Sequence, residues 1–509
     1  MSTGLAAGSE SGPECPASGQ YDYNLLVIGG GSAGFAVAKE AASLGQKVLL
    51  LDAPSPPGNT KSVSGFGGGV SVLKRLMQQA ALLGQSLKDA AAYGWKIQQP
   101  VEHSWSELTD ALQERMKELS FERRQELRKL GITYLHAHAE MLDPHTVQAT
   151  DSKGEKTSHT AETIVIATGD KPHYPDIPGL KEHCITCDDL FSLPQPPGRT
   201  LVVGDSGEVL EAAGWLFGLG TAGEDVVVMR PSDHREDGDH KVLEKLEGHM
   251  YVQGVCYIYG YMLTKVEKIE AGSPGKLKTT SWPPGRPLLV DEQVFNTVIL
   301  SVGRDGCTQG LGLERVGVTL NQSTGKVVVN AEDQTSVSHI YAIGAVQEGR
   351  QAHAGLSTET ARLLAQRLYS GKHTKCESSS VPRVLFTPME YAFCGLTEEA
   401  ATQSFGESNI EVFHEHYWPL QWSLPRRNKN SCYAKVICHI PDNHRVVGVH
   451  VLGPSAGDII QGFATALRGA LTKKQLDATI GLHPVSAEVL ANLTQTQRET
   501  EAMRVQGNC

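Results

Sequence analysis

The sequence predicts an α/β fold in which two strand–turn–helix units are followed by a smaller α+β region. Fifty-three glycines among 509 residues suit a protein with several glycine-rich turns better than a helical bundle. Short apolar runs at Tyr23–Ile28 and Thr200–Val203 each lead into a glycine-containing turn and then into a helical pattern. From about Val381 onward, short strands precede a helix, which indicates a different kind of domain.

The first unit shows a complete β-α-β pattern. Strand Tyr23–Ile28 leads into a predicted helix at residues 35–44, and a second strand at 47–51 ends at Asp52. The rest of this part is predicted as a loop at 54–69, helices at 73–86 and 104–131, and strands at 132–137, 146–149 and 164–167.

The second unit begins after residues 194–198, whose proline-rich composition predicts a domain boundary. Strand Thr200–Val203 and a turn at Gly204 open it, about 175 residues after the first unit. The elements predicted after this turn are strands at 226–229, 298–302, 340–343, 433–437 and 446–451, and a helix at 458–468.

The cluster Gly29-Gly30-Gly31-Ser32-Ala33-Gly34 has the spacing of a dinucleotide-binding turn. Gly29 and Gly31 allow the tight turn and the close approach of a pyrophosphate, and Gly34 lets the helix pack on the strand. Ser32 belongs to the same candidate set, because the helix N-terminus offers amide donors to phosphate. Asp52 lies 18 residues beyond Gly34, where a carboxylate accepts hydrogen bonds from a ribose. Together these parts predict a Rossmann-like nucleotide site rather than a purely structural turn.

The second turn departs from this pattern. Asp205 and Glu208 place carboxylates where a pyrophosphate would lie, and like charges weaken its binding. Arg230 and Arg235 follow the return strand and could hold the 2′-phosphate of NADPH. The acidic residues around both arginines are Asp233, Glu236 and Asp237. Two interpretations stay open, an NADPH site or a Rossmann-shaped domain with an inactive site, and the carboxylates favour the second.

The ten cysteines are spread along the chain, which is not the pattern of a disulfide scaffold. Cys184 and Cys187 form a C-x-x-C motif, but the acidic residues that follow would raise a thiol pKa rather than lower it. One such motif supplies only two metal ligands. The sequence therefore favours structural thiols here, and it predicts no metal site.

Composition argues against several classes of function. The net charge is −11 and the chain has no long basic stretch, so nucleic-acid binding is not predicted. No apolar run approaches the ~20 residues that span a bilayer, so no membrane segment is predicted. Residues 1–20 contain no Lys or Arg and no apolar core, which argues against a secretory signal or a transit peptide. We therefore expect a disordered arm at 1–20 and a cytoplasmic protein.

Several further segments are more specific than composition. They are Tyr21-Asp22-Tyr23, GGGSAG, Leu76-Met77 followed by QAALLGQ, Ala167-Thr168-Gly169, Ser192-Leu193-Pro194, Phe386-Thr387-Pro388, Val451-Leu452-Gly453-Pro454 and His483-Pro484. With these segments the sequence closely resembles the large, selenocysteine-type thioredoxin reductases of the pyridine nucleotide-disulfide oxidoreductase (glutathione reductase-like) family. The likeness runs from Tyr21 to about Glu488.

The resemblance implies two Rossmann-like domains, one for FAD and one for NADPH, and an α+β C-terminal domain for dimerisation. The boundaries it implies are a disordered arm at 1–20, the FAD domain at 21–196 and 298–375, an NADPH-type domain at 197–297, a dimerisation domain at 381–500 and a flexible tail at 501–509. The expected assembly is a homodimer, or a heterodimer with an active relative. The resemblance also implies a thioredoxin-type protein partner.

The resemblance assigns roles to residues around the cofactor. Thr168 and Gly169 match an FAD-binding segment, and Lys74 and Glu211 match an ion pair that flanks the flavin ring. Gly344 lies in the second FAD segment, where Ala345 stands in place of the family's aspartate. A lost hydrogen bond of this kind costs about 1–3 kcal/mol. FAD is the expected cofactor, with weakened binding, and NADPH binding is not favoured.

The main departure concerns the redox chemistry itself. The family places C-V-N-V-G-C against the flavin, whereas this chain has Gly67-Gly68-Gly69-Val70-Ser71 and no cysteine between Cys15 and Cys184. Disulfide exchange needs one thiolate to attack and a second to resolve, and the hydroxyl of Ser71 does neither. His483 and Glu488 match the family's acid–base pair, but without a dithiol they are interpreted as vestigial.

These departures favour a homologue that has lost NADPH-dependent disulfide reductase chemistry and acts in binding or regulation. One alternative is an FAD- and NADPH-dependent oxidoreductase without a dithiol, which reduces quinones or oxygen. Another is thioredoxin reductase activity, within cell redox homeostasis, that uses Cys509 or the pair Cys184 and Cys187. Cys509 ends the chain where the family continues with selenocysteine, as an unread UGA codon would produce.

Overall fold

A computed structural model describes residues 21–53, 69–98, 101–220, 226–232, 237–272, 274–350, 353–377, 380–499 and 505–507. The chain divides into two compact units. The first unit combines Met1–Pro54, Arg123–Gly169 and Gly306–Lys375, and the second combines Ser55–Glu122, Asp170–Asp305 and Cys376–Cys509. The predicted arm at 1–20 lies outside the described residues, as do most of the predicted loop at 54–69 and most of the tail at 501–509. Within the described ranges, no helix combines the length and the apolar character that crossing a bilayer requires.

The strands, in chain order, are β1 (Tyr23–Ile28), β2 (Val48–Asp52), β3 (Thr133–Met141), β4 (Thr146–Asp151), β5 (Lys156–Ile166), β6 (Asp170–Pro172), β7 (Ile185–Thr186), β8 (Thr200–Val203), β9 (Val226–Arg230), β10 (Cys256–Tyr259), β11 (Met262–Glu270), β12 (Lys276–Trp282), β13 (Asp291–Phe295), β14 (Thr297–Leu300), β15 (Arg304–Gly306), β16 (Ile340–Ala342), β17 (Arg383–Leu385), β18 (Tyr391–Gly395), β19 (Ile410–Trp418), β20 (Cys432–His439), β21 (Arg445–Leu452) and β22 (Val505–Gly507). The α-helices are α1 (Ser32–Ser43), α2 (Gly69–Asp89), α3 (Trp105–Lys129), α4 (Leu180–His183), α5 (Cys187–Leu190), α6 (Gly207–Gly218), α7 (His240–Gln253), α8 (Ala354–Tyr369), α9 (Glu398–Phe405), α10 (Ala456–Arg468), α11 (Lys473–Asp477) and α12 (Glu488–Ala491).

The first unit is built on a parallel sheet that contains the predicted β-α-β pattern. Strand β1 pairs in parallel with β2 on one side and with β5 on the other, and β16 pairs in parallel with β5. Leu26, Leu49, Ile164 and Ile340 are fully buried in its core. Helices α1 and α8 pack against each other beside this sheet. The carboxyl ends of β1, β2 and β5 therefore meet at one edge, where open α/β sheets bind ligands.

The second unit contains a second parallel sheet, in the order β10-β9-β8-β14-β7. Helix α6 connects β8 to β9, and helix α2 packs on α6. An antiparallel sheet, β11-β12-β13, follows in the chain. The same unit holds the sheet β17-β18-β21-β20-β19-β22, on which helix α10 packs. Its pairings are antiparallel except that of β22, which is parallel to β19. These observations confirm the predicted fold class of two Rossmann-like domains and an α+β C-terminal domain.

Several element boundaries differ from the sequence predictions, among them those of α2, β3 and β5. Helix α2 begins at Gly69 rather than at residue 73, and a Cβ on Gly69 would lie 1.8 Å from Cε of Met116. Strands β3 and β5 are longer than predicted, because their polar ends pair with β4 in an antiparallel ladder. Polar residues that alternate along an exposed ladder form no apolar run, so the sequence pattern does not predict these strand ends.

Candidate functional site: two dinucleotide turns and a paired histidine

The first glycine turn is tightly packed at two of its three key positions. Gly29 has a φ of +107°, and a Cβ there would lie 2.4 Å from the carbonyl oxygen of Ala167. A Cβ on Gly34 would lie 1.9 Å from the carbonyl oxygen of Gly29. At Gly31 the nearest atom would be 3.9 Å away. Gly29 and Gly34 are thus required by the fold, whereas Gly31 leaves open space on the side where a ligand would approach.

Helix α1 presents an uncapped N-terminus at this turn. Gly31 is its N-cap residue, no side chain caps the helix, and its first turn contains no acidic residue. The first N–H groups of a helix have no intrahelical partner, and the helix dipole adds partial positive charge there. This geometry suits a phosphate group.

Asp52 lies beside the same turn at the end of β2. Its Oδ1 atom accepts a hydrogen bond of 2.9 Å from the N–H of Gly30. Burial raises the pKa of Asp52 above its usual range, although the Gly30 hydrogen bond acts in the opposite direction. The structure thus brings Asp52 and the glycine turn together, as the sequence predicted.

Thr168, Gly169 and Gly344 complete the candidate set in the first unit. The Oγ1 atom of Thr168 is buried and has no hydrogen-bond partner in the described part of the chain. An orphaned buried hydroxyl is uncommon and suits a bound polar group. Gly169 and Gly344 have φ values of +72° and +82°, which are left-handed conformations that favour glycine. Together with the turn, these residues fit the pyrophosphate and ribose of a dinucleotide.

Two features follow Gly344 in the chain, an apolar residue and a helix N-terminus capped by a histidine. Ala345 follows Gly344 and carries no polar side chain. Helix α8 begins just after His353, whose Nδ1 atom accepts a hydrogen bond of 3.0 Å from the N–H of Leu356. One of the free N–H groups of this helix is therefore capped by an imidazole of the chain itself.

The second turn also begins with a glycine of positive φ, but the N–H group at its helix start has a partner within the chain. Gly204 has a φ of +146°, and a Cβ there would lie 1.9 Å from the carbonyl oxygen of Ser301. Helix α6 starts at Gly207, whose N–H donates a hydrogen bond of 2.7 Å to Oδ2 of Asp237. A donor that a phosphate would use is thus already paired with a carboxylate of the chain.

Glu208 and Asp205, the carboxylates predicted to repel a pyrophosphate, are paired with other groups of the chain. Glu208 forms an ion pair of 2.9 Å with Lys74 and accepts a hydrogen bond of 3.1 Å from Ser301. Burial opposes its ionisation, but Lys74 and Arg304 lower the pKa of Glu208 to about 2. Asp205 accepts hydrogen bonds from the N–H and the hydroxyl of Ser232. Glu208 is the acidic residue in the first turn of helix α6, and the carboxylate of Asp237 is a further one at the helix N-terminus.

Arg230 does not form the predicted clasp for a 2′-phosphate, which corrects the sequence prediction for this residue. Arg230 is only 2% exposed, and its guanidinium donates to Glu247 at 2.6 Å and to the carbonyl oxygen of Asp205 at 2.7 Å. It is the last residue of β9, and its side chain is directed into the interior, so it is not presented to a ligand. Arg235 lies outside the described residues.

Comparisons with known proteins agree with this geometry. Residues 23–361 match the family described as pyridine nucleotide-disulphide oxidoreductase, and residues 381–494 match the dimerisation domain of that family. The chain belongs to this family. It is 43% identical over 506 residues to thioredoxin reductase SEP1 of Emiliania huxleyi, an alignment that covers 96% of this chain and 99% of that protein. This oxidoreductase is therefore thioredoxin reductase-like.

The oxidoreductase retains the ion pair that the resemblance assigned beside the cofactor. Nζ of Lys74 lies 2.9 Å from Oε2 of Glu211, and the other carboxylate oxygen accepts a hydrogen bond of 2.8 Å from the N–H of Phe386. Glu211 is 3% exposed, and its burial raises its pKa. Lys74 joins Glu208 and Glu211, so it links the start of α2 to helix α6.

The predicted His–Glu pair is also present in the C-terminal domain of the oxidoreductase. Nδ1 of His483 lies 3.0 Å from Oε2 of Glu488, so the carboxylate orients the ring. The His483 side chain is 59% exposed, whereas that of Glu488 is 19% exposed. Ile480 and Leu482, just before it in the chain, are 95% and 72% exposed, so this segment presents apolar side chains at the surface.

The C-x-x-C motif is not arranged as a redox pair. Cys184 packs in one hydrophobic cluster and Cys187 in another, and both are free thiols. Burial raises the pKa of Cys184 to about 12 and that of Cys187 well above its usual range. Thiols with raised pKa values are poor nucleophiles. Among the described residues, no group of three or more His, Cys, Asp or Glu side chains is placed to hold a metal ion.

Proposed function

We propose that this chain is a thioredoxin reductase-like flavoprotein homologue that has lost NADPH-dependent disulfide reductase chemistry and acts by binding. The observation that carries the proposal is that no cysteine occurs between Cys15 and Cys184. A dithiol reductase must form and break an S–S bond, which requires two thiols near the flavin. Ser71, in the segment that matches the family's dithiol, is an exposed residue in the first turn of α2. The buried, high-pKa thiols of Cys184 and Cys187 offer no substitute.

The first turn supports FAD binding. Gly29, Gly31 and the N-terminus of α1 would hold the pyrophosphate, Asp52 the adenosine ribose, and Thr168 a further polar group of the cofactor. Bound FAD would supply two-electron redox chemistry. Ala345 lacks the carboxylate that the resemblance places near the ribityl chain, which weakens FAD binding by about 1–3 kcal/mol.

The second turn does not fit NADPH. The Asp237 carboxylate already accepts the hydrogen bond of the Gly207 N–H, and its charge opposes that of a pyrophosphate. Arg230 is buried against Glu247, so it offers no charge to a 2′-phosphate. The second turn therefore does not offer a site from which NADPH could deliver a hydride.

The His483–Glu488 pair fits a role in assembly. In a reductase such a pair would move a thiol proton, but this chain has no dithiol to protonate. The pair lies among the exposed apolar side chains of Ile480 and Leu482, within the residues that match the dimerisation domain. We propose that it is vestigial as an acid–base pair and packs at a subunit interface, in a homodimer or in a heterodimer with an active relative.

A visible absorbance spectrum followed by anaerobic addition of NADPH tests this function. We expect the purified protein, incubated with FAD, to show a flavin band near ~450 nm that NADPH does not bleach. A chemical reductant such as dithionite should bleach the same band, which shows that the flavin itself is competent. Bleaching by NADPH within seconds would contradict the proposal.

A dithiol-free oxidoreductase is the second candidate, and the intact first turn and the Lys74–Glu211 ion pair favour it. In that case NADPH would bleach the flavin and a quinone or oxygen would reoxidise it. The same experiment separates the two candidates, because only the oxidoreductase consumes NADPH when a quinone is added. Turnover lost on replacing Cys184 or Cys187 with Ser would instead indicate thiol chemistry.

A further inference from the structure

A cleft of about 480 Å³ in the second unit plays no part in either dinucleotide turn. It is lined by the end of helix α2, by helix α7, by β19 and by the β19–β20 connection. Its basic lining residues are Lys88, Lys245, His249, His416 and Arg427. The volume falls within the roughly 300–1,000 Å³ of small-molecule pockets. Apart from glycine, one apolar side chain, Val252, lines it among the described residues.

The charge of this basic cleft is opposite to that of the whole chain. The net charge of the protein is −11, yet the lining described here contains two lysines, one arginine, two histidines and one acid. That acid, Asp89, forms an ion pair with Arg427. The remaining polar lining consists of amide side chains and a hydroxyl group. Lys88 and Lys245 thus leave an excess of positive charge in the cleft.

Two of the basic side chains in the cleft, Lys245 and His416, are in contact. Nζ of Lys245 lies 3.4 Å from Nε2 of His416 and above the ring of Tyr433. Nδ1 of His416 is 3.1 Å from the carbonyl oxygen of Cys432, so Nδ1 donates there and Nε2 accepts from the lysine. Burial and the nearby Lys241 and Lys435 lower the pKa of Lys245, although Glu244 acts in the opposite direction.

His249 provides an independent observation. Its ring is half-buried in the lining of the cleft and makes no hydrogen bond to any of the described residues. Burial, followed by the charge of Arg427, lowers the pKa of His249 to about 4. An anion in the cleft would give this imidazole a partner and would offset the repulsion among the cations.

We propose that the basic cleft binds a small phosphorylated ligand through its phosphate groups. Arg and Lys are the side chains that recognise phosphate, and the amides around them supply further donors. Most of the lining residues carry charged or amide groups, which suits a polar ligand. The proposal does not depend on the redox function, because no lining residue belongs to either glycine turn.

Calorimetric titration of the full chain with inorganic pyrophosphate at low salt tests the proposal. We expect saturable binding of one pyrophosphate, weakened about tenfold or more in Lys88→Gln/Lys245→Gln, because charge-assisted hydrogen bonds to phosphate are lost. The matched control is Lys474→Gln, an exposed lysine on α11 that does not line the cleft. It should bind as the unmodified chain does. Titration with ADP distinguishes the source, since tighter binding of ADP indicates a nucleotide and equal binding indicates a free phosphate.

Two outcomes would overturn the proposal. One is the absence of saturable binding, and the other is binding that Lys88→Gln/Lys245→Gln leaves unchanged, which would assign it to another site such as the first glycine turn. Lys88 is exposed and His249 is only half-buried, so Lys88→Gln and His249→Gln serve as folded variants if the double variant does not fold. Each should weaken binding severalfold, and a circular dichroism spectrum checks that each is folded.

Discussion

At the scale of single residues, the difference between the two dinucleotide turns depends on which group pairs with the helix N-terminus. In the first turn no acidic side chain caps α1, and Asp52 pairs with Gly30 at the end of β2. In the second turn Asp237 accepts the hydrogen bond of Gly207. A carboxylate of the chain that accepts this hydrogen bond competes with a phosphate for the same N–H donor.

Replacement of Asp237 therefore offers a test of this competition. We expect Asp237→Ala to increase the affinity for NADPH about tenfold to a hundredfold, because it removes a negative charge and frees an N–H donor from a hydrogen bond to a charged group worth roughly 1.5–3 kcal/mol. Quenching of intrinsic fluorescence by NADPH measures the affinity. Asp176→Ala, an exposed carboxylate outside the turn, should leave it unchanged. Equal affinities in all three proteins would show that Asp237 does not close the turn.

At the scale of elements, the glycines of the first turn have different roles: one is required for folding and another for binding. Gly34 touches the backbone of Gly29, whereas Gly31 has open space beside it. The same motif thus contains one glycine for helix–strand packing and one for the approach of a ligand.

Alanine at these two positions should have different effects. We expect Gly34→Ala to lose the soluble fold, because its Cβ would overlap the Gly29 carbonyl oxygen at 1.9 Å. Gly31→Ala should keep the fold and weaken FAD binding about tenfold or more. Thermal melting and FAD titration measure the two effects. A Gly34→Ala protein that melts like the unmodified chain would contradict this account of the packing.

A buried ion-pair network links elements of the second unit. Lys435 on β20 lies 2.6 Å from Asp239, which caps helix α7, and 2.6 Å from Glu398 of α9. Asp239 and Lys435 are fully buried. Burial opposes the ionisation of Asp239, but His450 and Lys435 lower its pKa to about 2. The charge on Lys435 thus helps to hold three elements together.

This network predicts a pH dependence of stability. The pKa of Asp239 is lower in the folded chain than its ordinary value of 3.8, so its contribution is complete above pH ~4 and is lost as the pH falls towards 2. We expect Lys435→Met to reduce the free energy of unfolding by about 3–5 kcal/mol at pH 7 and to make its fall below pH 4 shallower. Urea unfolding at several pH values measures both, with Lys474→Met as control. Parallel pH profiles in the two proteins would exclude Lys435 as the cause.

At the scale of the whole molecule, the match to a dimerisation domain leads us to expect a homodimer. Ile480 and Leu482 are apolar and highly exposed in this single chain. An interface would cover such side chains, since burial of apolar surface drives association. We expect the apolar surface around His483 to be the part of the chain that a second subunit covers.

Charged substitutions on this surface test the dimer. We expect Ile480→Asp/Leu482→Asp to shift the protein from dimer to monomer in analytical ultracentrifugation, because a charge cannot be buried there without a partner. Leu288 is 94% exposed but lies outside the residues that match the dimerisation domain. Leu288→Asp should therefore remain dimeric. A double variant that sediments as a dimer would place the interface elsewhere.

Local patterns explain which features were predictable from the sequence. The Gly29–Gly34 spacing, the strand before it and Asp52 lie within one short β-α-β unit, so the turn and its carboxylate could be placed correctly. The partners of Glu208 and Arg230 could not be predicted in this way. Lys74 and Ser301 contact Glu208 from distant parts of the chain, and Glu247 contacts Arg230 from helix α7. His249 and Lys245 gave no signal, because a cleft exists only after helices and strands have packed.

The sequence by itself determined the fold class, the family and the absence of the cysteine pair, because these depend on which residues are present and on their order. Only the tertiary structure decided how the charges are paired. It turned Glu208 towards Lys74, directed Arg230 inward and placed Asp237 at the N-terminus of α6. The physical reason is that the strength of a charge in a protein depends on its burial and its neighbours, and both are set by packing between segments that are far apart in the chain.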